Sequence, residues 1–405
     1  MTRRVLFVDD EPQALEGLRH QLQPYRGKWE MVFVESGSQA LAVLARDPVD
    51  VVVTDMHMPA MDGAALLQKT QELYPGAARI MLTAPSERDA AIRASPAVHQ
   101  FLTKPCDPGV IENAIERVCD LRAHVSDAPV RQLVGRIGHL PPSPLVYSRL
   151  VLALAKDTTT IEEVAGILKQ DMALCAKTLQ LVNSAFFGLR RTVSEIEDAV
   201  AYLGFNTIKQ VALAVEVFQS ASARAKSKLS LGALRLHALL VGRISSQLLL
   251  DGPHREEAFV AGLLHDVGKV VLSVELPDHV GQVLLEMQRR GCSMYEAEQS
   301  VWGVTHAEVG GYLLGLWGLP YSIVEAVAHH HQPSRVDTHE FGLLAATHVA
   351  DALLNEVADP GWAGNVGGGS SLDAGFAASV GITERLPEWT TAARELVATE
   401  SAAGW

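Results

Sequence analysis

A chain of 405 residues exceeds what one ordinary hydrophobic core spans, so two or three domains are expected. Its 48% hydrophobic and 20% charged residues are ordinary for a water-soluble globular protein. A net charge of −13 without a long basic run disfavours direct nucleic-acid binding, and no apolar run is long enough for a spanning helix.

The first residues, Met1-Thr2-Arg3-Arg4-Val5-Leu6-Phe7-Val8-Asp9-Asp10, bring in acids before an apolar core region can form, which is unlike a secretory signal. The four cysteines, Cys106, Cys119, Cys175 and Cys292, are far apart and form no CxxC, so free thiols in a reducing cytoplasm are expected. Along residues 1–120, short runs rich in Val, Ile, Leu and Phe recur at Val5–Val8, Met31–Val34, Val51–Thr54, Ile80–Leu82 and His99–Leu102. Amphipathic stretches such as Pro12–Leu22, Ser38–Leu44 and Ala64–Leu73 separate them. Strands alternating with helices predict an α/β doubly wound domain, a five-stranded parallel sheet with its crevice at the strands' carboxyl ends.

Those ends carry polar groups. Asp9 and Asp10 close the first strand, Asp55 follows the third, Thr83 the fourth and Lys104-Pro105 the fifth. Converging carboxylates repel one another and call for a cation, and an all-oxygen set of this kind suits Mg²⁺. A carboxylate there can then act as a nucleophile and form an acyl phosphate. Lys104 can neutralise phosphoryl charge, and the Thr83 hydroxyl can hydrogen-bond a phosphoryl oxygen. The Lys104–Pro105 bond is a candidate cis peptide. A lone acid after a strand is usually only a cap, but four matches in order outweigh that reading.

Over their full length, residues 1–120 resemble the receiver domain of two-component response regulators. The resemblance implies that Asp55 is the phosphoacceptor and that Asp9, Asp10, Asp55 and the His57 carbonyl hold Mg²⁺. It also implies that Thr83 and Phe101 are the switch pair, with Phe101 burying on phosphorylation, and that Lys104 contacts the phosphoryl group. The partner is then a sensor histidine kinase or phosphotransfer protein.

From about Leu121 helical periodicity takes over. Residues 121–139 are expected to extend the last helix as a connector, and Leu140-Pro141-Pro142-Ser143-Pro144 marks a boundary. Helices are expected at Ile161–Lys169, Leu174–Asn183, Ile196–Leu203, Leu234–Leu250, Ala258–Leu264, His306–Trp317 and Ile323–His330. The stretch 360–375, with Gly367-Gly368-Gly369-Ser370-Ser371, reads as a loop within a helical C-terminal extension, 336–405. No convincing basic helix-turn-helix is present, since Arg224, Lys226 and Lys228 make only a short patch.

The segments Leu140–Tyr147, Ile167–Leu174, Val182-Asn183-Ser184-Ala185-Phe186-Phe187-Gly188 and Ala199–Gly204 resemble the HDOD domain, an all-α relative of HD-type phosphohydrolases, over residues 140–335. Met172 stands where that family often has Pro. Histidines and acids fall in HD order: His237, His265-Asp266, His306, His330 and Asp351. Imidazole with carboxylate suits Fe, Mn or Zn. Such histidines are also often satisfied core residues, and the run His329-His330-His331 could complement a helix dipole. The resemblance implies a regulatory interaction module with a downstream protein, with a receiver-controlled metal-dependent phosphohydrolase as the alternative. After His330-His331-Gln332-Pro333 the Gly-Tyr-Pro element of related cyclic-dinucleotide hydrolases is missing. A homodimer stays open.

Overall fold

The structure, a computed structural model, describes residues 3–84, 87, 90–91, 94, 96–124, 128–137, 140, 144–156, 158–183, 192–222, 228–249, 254–358 and 371–402. The Pro141-Pro142-Ser143 break, the Ser184–Gly188 motif, Arg224, Lys226 and the Gly367-Gly368-Gly369-Ser370 loop lie outside the described residues. The chain divides into two compact units, the first dominated by Met1–His139 and the second by the helical remainder.

In the first unit β1 (Arg3–Val8), β2 (Trp29–Val34), β3 (Val51–Asp55), β4 (Ala78–Thr83) and β5 (Gln100–Thr103) form a parallel sheet in the order β2-β1-β3-β4-β5. Val51, Val52 and Val53 are buried on both faces, as a helix-covered parallel strand requires. Three strands, β1, β2 and β4, start two residues earlier than the apolar runs suggest. Arg3 and Arg4 extend β1 because their guanidiniums reach out to Glu116, Asp120, Glu30 and Asp47. Trp29 opens β2, buried and stacked on Tyr25.

Helix α1 (Pro12–Gln21) begins at a proline whose fixed φ suits a first turn. Helix α2 (Gly37–Arg46) is capped by the Ser36 hydroxyl and α3 (Gly63–Leu73) by the Asp62 carboxylate, which accepts the Ala65 N–H at 2.7 Å. After β5 come α4 (Pro108–His124) and α5 (Ala128–Arg136). Helix α5 is tied back to this unit. The fully buried Arg79 guanidinium donates to the Gly135 carbonyl at 2.6 Å, and Gln71 donates to that of Arg136 at 2.9 Å.

The second unit is all helical. It comprises α6 (Pro144–Leu154), α7 (Ile161–Leu168), α8 (Met172–Val182), α9 (Ile196–Ser222), α10 (Leu231–Leu248), α11 (Arg255–Leu264), α12 (Val267–Glu275), α13 (Pro277–Arg290) and α14 (Met294–Trp302). It continues with α15 (His306–Leu316), α16 (Tyr321–His329), α17 (Leu343–Val357), α18 (Ala374–Ser379) and α19 (Leu386–Ala402). Helix α9 runs on past Leu203, broken at Gly204 with φ 73°. Apolar faces of α10, α17 and α19 share one core: Leu240, Val241, Ile244, Val349, Leu353, Trp389 and Ala393. Among the described residues no helix is long and apolar enough to cross a membrane.

Candidate functional site

The crossover of strand order beside β1 opens a crevice at the carboxyl ends of β1, β3, β4 and β5. There the Lys104 ammonium lies 2.9 Å from Asp9 Oδ2 and 2.5 Å from Asp55 Oδ1, after a cis Lys104–Pro105 bond. Burial alone would lower the Lys104 amine, but its bonds to Asp55 and Asp9 hold it above its ordinary range. Asp9 is buried, Asp10 is half-buried, and the His57 N–H donates to Asp55 Oδ2 at 3.0 Å. Gly63 allows this loop to close, because a Cβ there would stand 2.0 Å from the Asp55 carbonyl oxygen. Its N–H donates to the Met56 carbonyl at 2.8 Å.

Both expected switch residues, Thr83 and Phe101, are buried. Phe101 is already buried, 2% exposed, in the cluster with Met81, Ala91, Ala94 and Val98. The Thr83 hydroxyl donates to Glu87 Oε2 at 2.6 Å, a partner that the sequence reading missed.

In the second unit the structure brings together all six of the expected HD residues. Two groups have ligating atoms within 4.8 Å of one another: Asp266, His306, His330 and His331, and His237, His265 and Asp351. Asp266 faces both. Its Oδ1 is 3.3 Å from His306 Nε2 and 3.8 Å from His330 Nε2, and its Oδ2 is 3.4 Å from His265 Nε2 and 3.8 Å from His237 Nε2. Asp351 Oδ1 is 3.1 Å from His237 Nε2 and 3.9 Å from His265 Nε2. The His265-Asp266 pair does not lie inside one helix, as the continuous apolar run suggested. It forms the junction between α11 and α12, where both side chains turn inward. Gly268 permits this junction, since a Cβ there would meet the His306 carbonyl oxygen at 1.9 Å.

The ring nitrogens are set from behind. His265 Nδ1 lies 2.6 Å from the Gly262 carbonyl, His330 Nδ1 2.8 Å from that of Val327, and His306 Nδ1 2.7 Å from Glu298 Oε2. Each contact places a proton on Nδ1 and turns Nε2 to the centre, the usual support of a ligating imidazole. His265 Nε2, His330 Nε2 and Asp266 Oδ1 are buried and have no hydrogen-bond partner. Such atoms are costly unless a ligand completes them.

The charges agree. Three buried carboxylates, Asp266, Asp351 and Glu298, face the Lys269 ammonium, which bonds Asp266 Oδ2 at 2.7 Å. Burial would raise Asp266, yet His265 and Lys269 hold it well below the usual carboxylate range. Burial would lower His265 and His306, yet Asp266 and Glu298 respectively hold them above their ordinary range. Burial, then the neighbouring His265, keeps His330 well below the imidazole range; burial, then His330 and His306, does the same for His331. The cluster thus attracts positive charge while keeping two neutral rings. His331, Lys269 and Glu298 were not anticipated. His331 is the reachable member of a visible triplet, whereas Glu298, on α14, has no sequence signal. His348 is a satisfied core residue, its Nδ1 2.7 Å from the His330 carbonyl and its Nε2 accepting the Asp373 N–H at 2.9 Å.

A five-stranded receiver-type sheet with this crevice, followed by an all-helical unit, defines a response regulator with an output domain. Residues 5–116 match the response regulator receiver domain and residues 140–333 match the HDOD domain. The chain belongs to the response regulators that join these two domains. It is 36% identical over 150 residues to the transcriptional regulatory protein GlrR of Escherichia coli K12, covering 36% of this chain and 33% of that one. It is 34% identical over 142 residues to the response regulator protein PilR of Pseudomonas aeruginosa, covering 35% and 31%. It therefore spans about a third of the length of these curated relatives. Among solved structures it is similar to the MmoQ response regulator of Methylococcus capsulatus, with 22% identity, TM-score 0.44, and 60% of this chain and 98% of that one covered. It is also similar to an HDOD domain protein of Geobacter sulfurreducens, with 25% identity, TM-score 0.34 and coverage of 69% and 98%.

Proposed function

We propose that Asp55 accepts a phosphoryl group from a sensor histidine kinase or phosphotransfer protein, and that the HDOD domain turns this event into altered contacts with a downstream protein. The observation that carries the reading is the Lys104 ammonium held between Asp55 and Asp9 at the carboxyl ends of the strands. An Asp55 oxygen forms a P–O bond while the donor's P–N bond breaks, and the imidazole leaves with the electron pair. Lys104 offsets charge on the phosphoryl oxygens. The hard carboxylate oxygens fit Mg²⁺, which Asp9, Asp10, Asp55 and the His57 carbonyl would hold and which would neutralise the transferring group. Incubation with a small phosphodonor and Mg²⁺ should add one acid-stable, base-labile phosphate, absent in Asp55→Asn. Full labelling of that variant refutes the assignment.

The orphaned nitrogens and the surplus of buried carboxylates support a transition-metal centre of Fe, Mn or Zn in the helical domain. Asp266, His306, His330 and His331 would hold one ion, and His237, His265 and Asp351, with Asp266, a second. One observation favours a second reading, receiver-controlled phosphoester hydrolysis: Asp266 presents one oxygen to each group, as a carboxylate shared by two ions does. When bound, such a pair supplies an activated water and charge stabilisation. Elemental analysis of protein purified without chelator or affinity tag tests the centre. A screen of phosphomonoesters, nucleotides and cyclic dinucleotides separates the readings. Metal without turnover supports the regulatory module, turnover lost in Asp266→Ala supports the hydrolase, and absence of metal refutes the centre.

A further inference from the structure

Two donors at the end of β4 converge on one anionic oxygen. The Thr83 hydroxyl donates to Glu87 Oε2 at 2.6 Å, and the Ala84 N–H donates to the same atom at 2.8 Å. The other carboxylate oxygen, Oε1, lies 3.1 Å from His57 Nε2, on the loop whose N–H donates to Asp55 Oδ2. Glu87 is largely shielded, its side chain 18% exposed, and Thr83 is fully buried. A hydroxyl and a backbone N–H aimed at one oxygen make a small anion hole, beside the carboxylate read above as the phosphoacceptor.

We infer that Glu87 is an internal stand-in for the phosphoryl group, occupying Thr83 and Ala84 in the unphosphorylated receiver and leaving when Asp55 is phosphorylated. This inference rests on the assignment of Asp55. A carboxylate and a phosphoryl group of the same sign cannot share two donors, because like charges at hydrogen-bond distance disfavour one another. Phosphorylation therefore has to break three contacts at once: Thr83–Glu87, Ala84–Glu87 and His57–Glu87. Release of the Glu87 carboxylate frees the exposed His57 ring, so the shift at the phosphorylation site is carried to the surface by one side chain. Glu87 is thus a residue that sets the rate and equilibrium of phosphoryl transfer by competition.

A simple turn-capping role makes a different forecast. A cap that is lost lowers stability and leaves phosphorylation unchanged or slower. The test uses the full chain as wild type, Glu87→Gln and Glu87→Ala, with acetyl phosphate and Mg²⁺. In this reaction an Asp55 oxygen forms the new P–O bond as the P–O bond of acetyl phosphate breaks, and acetate leaves with the electron pair. Initial labelling of Glu87→Ala should be about tenfold faster than wild type, and calorimetry should give about tenfold tighter binding of beryllofluoride, the scale set by freeing charge-assisted donors. Glu87→Gln, which keeps an acceptor oxygen but loses the charge, should fall between them. Because Gln is nearly isosteric, it also reads the effect if the Ala variant melts early. Labelling of both variants at or below the wild-type rate, with wild type labelled normally, overturns the competition. Failure of wild type itself to be labelled overturns the Asp55 assignment, and the inference with it.

Discussion

Replacing Asp266 by Asn removes one half of a buried ion pair and leaves Lys269 without the carboxylate it bonds directly. The pair is short, 2.7 Å, and its side chains are 7% and 0% exposed. Breaking a buried pair from one side costs about 3–5 kcal/mol, because the remaining charge stays desolvated. For a cooperative unit of roughly 150–250 residues the melting temperature moves about 2–4 °C per kcal/mol, so a fall of about 6–20 °C is expected. Replacing both partners, Asp266→Asn with Lys269→Met, removes the stranded charge and should recover most of that fall, since neutral substitutes for a buried pair are often tolerated. Melting is followed by circular dichroism with a chelator present, so that bound metal does not contribute. A double variant that melts as low as the summed single losses refutes the account, because it would mean that the two charges do not stabilise one another.

Gly268→Ala should shift the His265-Asp266 junction away from His306, costing about 1–3 kcal/mol and lowering the metal content of the purified protein; unchanged content counts against it. Gly63→Ala pushes on the Asp55 carbonyl and should slow labelling by acetyl phosphate about tenfold or more through misplacement of the nucleophile; wild-type kinetics would contradict that. Arg79→Met strips the carbonyls of Ala97, Ala77 and Gly135 of their buried donor and should destabilise the receiver by about 3–5 kcal/mol in urea unfolding. A loss under about 1 kcal/mol would show that water replaces the guanidinium.

The receiver was readable because its information is local. Each strand is a short apolar run, and the residue that matters comes directly after it, so Asp9, Asp55, Thr83 and Lys104 are found by position along the chain. Glu87 was not found, since an acid four residues past a strand looks like any exposed helix residue until the Thr83 hydroxyl is seen to bond it. The order of His237, His265-Asp266, His306, His330 and Asp351 was visible as a pattern of residue types. Their convergence depends on how six helices pack, which periodicity does not specify. The α11–α12 junction went unseen because its break falls within a run of apolar residues with no proline.

The histidine–aspartate cluster is collected from α10, the α11–α12 junction, the start of α15, the end of α16 and α17, and Asp351 lies beyond residues 140–333, which match the HDOD domain. During synthesis, the chain emerging from a ribosome has made Asp266, His306, His330 and His331 before α17, but the group of His237, His265 and Asp351 is complete only once α17 has been made. The pieces cannot be closed into a loop cheaply before then, because contacts so distant in sequence form only as the helices pack. Loading of the group that contains Asp351 would therefore follow the packing of α17. A fragment cut at residue 333 would keep the family's matched span and the Asp266, His306, His330 and His331 group, yet lack Asp351 of the other.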